Sequence, residues 1–386
     1  MLVLKVCLSE WKNESRDQRE LSVCRELGAD IKVVAKGKTE DYGKVESVNG
    51  FEVHRLSSRP VNGLPKALNR VLSIFMWAKY VRALKPDIIS GHDLSGLAIG
   101  WISTFFCRVK PKLVYDSHEF EIGRNVKRNR IQIKFITVVE RYLIKKSKFM
   151  IVVNDSIADE VTRIHRLDQR PVVVRNIPNQ WNVDPAVCDK VRSHFMSEFG
   201  IGGGYFLMYH GAIVPGRGIE KCLEILRYDK ELYLVVMGDV LSTAYKEKLQ
   251  KLTEEMGVSN RVLFSSSVPA KELWKYIGAA DISMILIEPA VKSYYFALPN
   301  KLFEGIQART PVVGSDLPEI RKIIKSYGVG EICRYDDTKD IYRAVKNIKS
   351  SKERQEKIRK NEERAAEILC WETESELLKA AYGRIW

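Results

Sequence analysis

Short apolar runs recur along the whole chain, and between almost every two of them lies a longer segment with helical spacing. MLVLKVCL (1–8), IKVVA (31–35), FEVHRL (51–56), DIISGHD (87–93), KLVYDSHE (112–119), KFMIVVN (148–154) and PVVVRN (171–176) form one series. YFLMYHG (205–211), ELYLVVMGD (231–239), RVLF (261–264), DISMILI (281–287), TPVVGSD (310–316) and GVGEIC (328–333) form another. Strands this short and this apolar, separated by helices, belong in parallel sheets covered on both faces. The two series meet at RNIPNQWNVDP (175–185), whose two prolines mark a linker. The expected fold is therefore α/β, with two doubly wound, Rossmann-like domains facing across a cleft. Residues 1–180, with the return of a terminal helix at 371–386, make the first domain, and 181–370 make the second.

The helical segments carry their own signals. NESRDQRELSVCRELG (13–28) closes on Gly28, a helix-ending glycine. KALNRVLSIFMWAKYVRAL (66–84) places Leu68, Val71, Leu72, Phe75, Met76 and Leu84 at helical spacing. LSGLAIGWISTFFC (94–107) falls short of the ~18 apolar residues of a membrane span and reads as a buried helix. MLVLKVCLSEW acquires charge too early for a signal peptide. Seven cysteines stand singly, with no C-x-x-C, which is the pattern of reduced thiols in a cytoplasmic protein.

Several chemistries lack their residues. There is no G-x-G-x-x-G, G-x-x-x-x-G-K-[ST] or G-x-S-x-G, so neither a dinucleotide cofactor nor a serine nucleophile is expected. No D-x-D is present to hold a metal on a diphosphate, and no two of the six histidines pair at zinc-ligand spacing. No cofactor and no metal are expected, so bound phosphates would have to be neutralised by protein cations and helix N-termini.

Two segments carry such cations. In MYHGAIVPGRGIEKCLEIL (208–226) a strand ends at Tyr209, and a helix opens at about Arg217. In IEPAVKSYYFALPNKLFEGIQARTPVVGSD (287–316) a helix opens near Asn300–Lys301, with Glu304 one turn on. A cation in the first helical turn opposes the dipole unless an anion sits there too. The plainer readings are a solvated arginine beside a turn and a surface Lys–Glu pair.

VPGRG followed by LPNKLFEGIQARTPVVGSD resembles the retaining nucleotide-sugar glycosyltransferases of family 4, which have the GT-B fold. VYDSHEFE (114–121), SGHDLSG (90–96), VVVRNIPN (172–179) and WETESELLKAAY (371–382) extend the resemblance nearly end to end. It implies a hexosyltransferase-type activity. Arg217 and Lys301 would hold the donor diphosphate, and His118 would face the donor sugar. Gly211, Gly216, Asn300 and Glu304 would complete the donor site, Glu304 at the ribose, with the loop at Ser267 and Val268 at the base edge. Asp93, Glu119 and Glu288 are candidates for sugar or acceptor contacts. Two positions depart from the family pattern: Phe296 replaces a second glutamate and Ala212 replaces an arginine.

Charge bears on the partners. Residues 1–180 carry 32 Lys+Arg against 20 Asp+Glu, a net of +12; residues 181–386 carry 31 against 29, a net of +2. Within the first half, RNVKRNRIQIKFITVVERYLIKKSK (124–148) holds nine Lys+Arg and only Glu140 as an acid, with Ile131, Ile133, Phe135, Ile136, Val138 and Val139 interleaved. An amphipathic basic helix suits an anionic membrane surface; the plainer reading is a solvated helix. The expectation is a cytoplasmic enzyme, peripheral on the inner face of the cell membrane, that transfers sugar to a saccharide or lipid-linked acceptor in surface polysaccharide or glycolipid synthesis. Nucleic acid is not an expected partner. The rival readings are a nucleotide-sugar epimerase of the same architecture and a non-catalytic protein binding membranes or nucleic acid.

Overall fold

The computed structural model describes residues 1–11, 15–57, 63 and 65–386. The chain divides into two compact units, Met1–Arg175 with Glu374–Trp386, and Asn176–Thr373. The expected boundary lay at 180.

The first unit contains β1 (Leu2–Cys7), α1 (Ser15–Glu26), β2 (Asp30–Gly37), β3 (Val45–Val48), β4 (Phe51–Ser57), α2 (Lys66–Ala83), β5 (Ile88–His92), α3 (Asp93–Ser103), β6 (Lys112–Asp116), α4 (Arg130–Lys146), β7 (Phe149–Val152) and β8 (Val172–Val173). Its sheet runs β3-β4-β2-β1-β5-β6-β7-β8, parallel except where β3 pairs antiparallel with β4. Helix α1 begins at Ser15, so Asn13 and Glu14 of the expected helix lie outside the described residues. In the second unit, β9 (Tyr205–His210), β10 (Leu232–Met237), β11 (Val262–Ser265), β12 (Ile282–Ile285), β13 (Val312–Ser315) and β14 (Gly330–Cys333) form a wholly parallel sheet. Its order is β11-β10-β9-β12-β13-β14. Each sheet reverses winding beside its first strand, β1 or β9, and the crevice beyond the carboxyl ends there is where such sheets bind ligands.

The helix Trp371–Gly383 starts in the second unit, but its residues from Glu374 onward belong to the first. Tyr382 is buried there, edge-on to Phe149 at 5.3 Å between ring centres. Helix α2 turns out differently from its apolar pattern. Leu68, Val71 and Phe75 face solvent, while Asn69, Ser73, Trp77 and Val81 are buried. Trp77 Nε1 donates to Ser57 O at 2.9 Å, and Ser73 satisfies its hydroxyl on Arg70 O. Polar residues with satisfied hydrogen bonds share the buried side, so the richer apolar stripe is the one left uncovered.

Candidate functional site

In the second unit the crevice at the end of β9 gathers the expected donor residues. Gly211 follows β9 with φ 106°, and a Cβ there would lie 2.6 Å from Lys301 Cε. A glycine is required for Lys301 to lie across the loop. The loop then turns through Gly216, whose carbonyl accepts from Glu288 N at 3.1 Å, to Arg217. The helix expected to open at Arg217 instead spans Ile219–Ile225, capped by Gly218 at φ 73°, so Arg217 stands in the turn before it. A Cβ on Gly218 would lie 2.2 Å from Leu286 Cβ, which fixes the turn against the end of β12.

Lys301 is the second residue of the helix Asn300–Gln307, which starts directly after Pro299. Its Nζ sits 3.7 Å from the centre of the Tyr209 ring. The Arg217 guanidinium lies 5.2 Å from the Tyr294 ring centre. Among the described residues neither cation has an ion-pair partner. Burial, and then the positive charge of Arg217, lower the Lys301 pKa to about 7. Glu304 Oε2 lies 3.0 Å from His210 Nε2. A buried histidine thus orients this carboxylate, and the pair is not the surface Lys–Glu bridge considered above. Val268 is partly buried against the core around Met208 and Met237. Beside it the Ser267 hydroxyl donates to Asp239 Oδ1, a partner that sequence reasoning missed just beyond the end of β10. Glu288 is exposed next to Gly216, and Phe296 packs against Tyr295 at 5.5 Å between ring centres.

The equivalent edge of the first unit holds a buried ionic cluster. Lys5, inside β1, lies 2.9 Å from Asp17 Oδ1 and 2.7 Å from Asp116 Oδ2, and it also bonds Glu20. Arg16 Nη2 closes the far side of Asp116 at 2.9 Å, and the Tyr382 hydroxyl donates to Glu20. Asp17, Glu20 and Asp116 come close enough together to share a metal ion, but they converge on the Lys5 ammonium. Burial opposes the lysine's charge; the three carboxylates outweigh it and hold its pKa well above the ordinary value.

His118 belongs to this cluster. Its Nε2 lies 2.9 Å from Asp17 Oδ1 and 2.8 Å from Asp116 Oδ2, while Asp17 Oδ2 meets His92 Nδ1 at 2.7 Å. The two imidazole ring centres lie 3.9 Å apart. Burial works against a charged His118, but Asp116 and Asp17 push its pKa up to about 10. The His118 backbone N–H donates to Asp93 Oδ1 at 3.0 Å, and Asp93 holds a left-handed φ of 56°. Arg124 binds Asp93 and lies 3.1 Å from Glu119 Oε2, so both weaker candidates stand beside His118. Sequence reasoning missed Lys5, Asp17, Glu20 and Asp116. The signal available was Lys5 itself, a lone charge inside an apolar strand.

The chain matches the family description "Glycosyl transferases group 1" over residues 193–365 and "Glycosyl transferase 4-like domain" over residues 19–179. It is 25% identical over 343 residues to an uncharacterised glycosyltransferase of Methanocaldococcus jannaschii, covering 83% of each chain. Among solved structures it resembles HepE of Anabaena, determined with UDP and glucose, at a TM-score of 0.77 and 14% identity over all of both chains. It also resembles sucrose-phosphate synthase of Thermosynechococcus elongatus, at a TM-score of 0.75 and 14% identity over 100% of this chain and 99% of that one.

Proposed function

This chain is a glycosyltransferase of the GT-B fold, and we propose that it moves a sugar from a nucleoside diphosphate sugar to a hydroxyl of a saccharide or lipid-linked saccharide, with retention at the anomeric carbon. One observation carries the donor assignment: Arg217 and Lys301 are neighbouring cations without carboxylate partners among the described residues. Two like charges left unneutralised at a sheet's switch point call for a dianion. That HepE was determined with UDP and glucose supports the same reading.

In this account the donor β-phosphate lies on Arg217 and Lys301, and Glu304, oriented by His210, accepts the ribose hydroxyls. The bond from the anomeric carbon to the phosphate oxygen breaks, and its electrons pass to the phosphate. The acceptor oxygen attacks from the same face, and its proton passes to the departing phosphate. The two cations stabilise the charge that develops there, which is electrostatic catalysis without a carboxylate nucleophile or a metal. In the first unit, His118, held charged by Asp17 and Asp116, is the group assigned to a sugar hydroxyl.

The basic face of α4 supports a peripheral place on the inner face of the cell membrane, with the first unit serving the acceptor. Ile131, Phe135, Val138 and Tyr142 are exposed in one stripe, flanked by the exposed Lys127, Arg130, Lys134 and Lys145. Arg128 is instead tied to Glu121 at 2.7 Å. Among the described residues no helix is long and apolar enough to cross a membrane.

The test incubates the protein with nucleoside diphosphate sugars and saccharide acceptors and reads the product's anomeric proton by NMR. A glycoside with the donor's configuration is expected. The inverted anomer would overturn retention. A changed sugar without acceptor would mark an epimerase instead.

A further inference from the structure

At the opposite edge of the first unit, where its strands begin, lies a cavity of about 690 Å³. Arg82, Lys85, Arg108, Lys110 and Lys112 line it, against Asp87 as its only carboxylate. Asp87 is already committed, accepting from Leu2 N at 2.7 Å. Arg82 donates to Phe105 O and Lys112 to Ile385 O. Lys85, Arg108 and Lys110 have neither side-chain hydrogen bond nor ion pair among the described residues.

Apolar side chains alternate with these cations at the rim. Phe106 is 96% exposed and Val109 87% exposed, on either side of Arg108. Phe106 also holds a left-handed φ of 63°, unfavourable for a bulky side chain. The ends of α2 and α3 attract cations to this edge, but a helix end does not call for a phenylalanine and a valine held out in water. The loop is continuous with the exposed stripe of α4. Phe105 packs edge-on to Trp101 at 4.7 Å, and Trp101 packs edge-on to Tyr142 at 5.4 Å.

We propose that this cavity seats the phosphate of an anionic membrane phospholipid, with Phe106 and Val109 entering the acyl boundary beside it. The inference rests on the peripheral-membrane reading of α4 and adds to it a second, localised contact. Charge selects the occupant. A second copy of the chain, docked about a two-fold axis, would set this basic surface against itself. An anionic bilayer satisfies both the cations and the apolar rim.

Flotation of the whole protein with phosphatidylcholine vesicles, with and without phosphatidylglycerol, tests this. One variant carries Lys85→Gln, Arg108→Gln and Lys110→Gln; a second carries Phe106→Ser and Val109→Ser. A third neutralises Lys127 just before α4 and Arg130 and Lys134 on it, and a control neutralises Lys36, Lys38 and Lys44 on the β2 side. The cavity triple should lower partition about fivefold per cation, on the order of a hundredfold in all. The serine pair should lower it at least ~10-fold, and the control should stay near wild type. Circular dichroism verifies that each variant is folded. If the α4 variant loses binding while the cavity triple or the serine pair keeps it, the cavity proposal falls and the membrane reading stands. A control as damaging as the cavity triple also overturns it, because the attraction is then diffuse. Failure of wild type to float with anionic vesicles removes both.

Discussion

The Lys301 ammonium lies 3.7 Å from the centre of the Tyr209 ring, in a crevice where the largest charged influence on it, after burial, is the repulsive Arg217. These surroundings hold the lysine at a pKa of about 7. A bound diphosphate would restore its charge.

Donor binding above pH 7 should therefore take up a proton, and affinity should decline as pH rises from about 7 toward the ordinary lysine range of ~10.4. Calorimetric titration of a nucleoside diphosphate at pH 8, in two buffers of different ionisation enthalpy, measures the uptake. Identical heats in both buffers would contradict it. The same lysine weakens the fold, since the unfolded chain binds more protons between pH 7 and about 10. Lys301→Met should raise the melting temperature at pH 7, and the gain should shrink as pH rises.

Two glycines separate fold from function. Gly211→Ala places its Cβ 2.6 Å from a flexible lysine tip, whereas Gly218→Ala meets Leu286 Cβ at 2.2 Å. Both also carry the left-handed penalty of about 1–2 kcal/mol. Gly218→Ala should unfold the second unit more readily, by more than ~2 kcal/mol in urea denaturation. Gly211→Ala should lose mainly donor affinity, because Lys301 must move. Equal stability losses with intact binding would refute the distinction.

Asp17 bridges His92 and His118, and its substitution should uncouple the charge of His118 from the fold. In the wild type the raised His118 pKa contributes stability that is full below ~6.5 and is lost as pH rises through about 10. Asp17→Asn should bring the His118 titration, followed by imidazole NMR, down toward the ordinary histidine range. At saturating donor, turnover of the variant should then fall as pH rises through 7 to 8, and wild-type turnover should show no such step. Removing one member of a buried ionic cluster should also cost about 3 kcal/mol of stability. Asp116→Asn provides the paired measurement, because Asp116 meets the same imidazole nitrogen. A His118 titration that stays at its wild-type position in both variants sinks the argument.

The alternation of apolar runs made the two parallel sheets legible, because a strand buried on both faces has almost no polar residue to hide it. The hairpin edge β3 escaped, since VESV carries no apolar run. Helix α2 was legible as a helix, but periodicity identifies a stripe without saying which side is covered; Leu68 and Phe75 lie outside, and Ser73 and Trp77 inside. Arg217 and Lys301 were visible as cations set against local electrostatic preference, and Glu304 by its spacing of one turn from Lys301. The partners of His118 were not. Asp17 reaches it across 101 positions, and Lys5 meets Asp116 across 111, separations that no local pattern encodes.

If the protein cations alone neutralise the diphosphate, transfer should continue in excess EDTA. Loss of turnover restored by magnesium or manganese would show that the phosphate chemistry has been assigned to the wrong groups.

The most direct measurement is calorimetric binding of nucleoside diphosphates to wild type, Arg217→Ala and Lys301→Ala at pH 7. A charge-assisted hydrogen bond is worth roughly 1.5–3 kcal/mol, so each substitution should weaken binding ~10- to 100-fold while the melting temperature stays near or above that of wild type. Binding that is unchanged in both variants, or absent from the wild type for every nucleoside diphosphate, would contradict the assignment of the donor to this crevice.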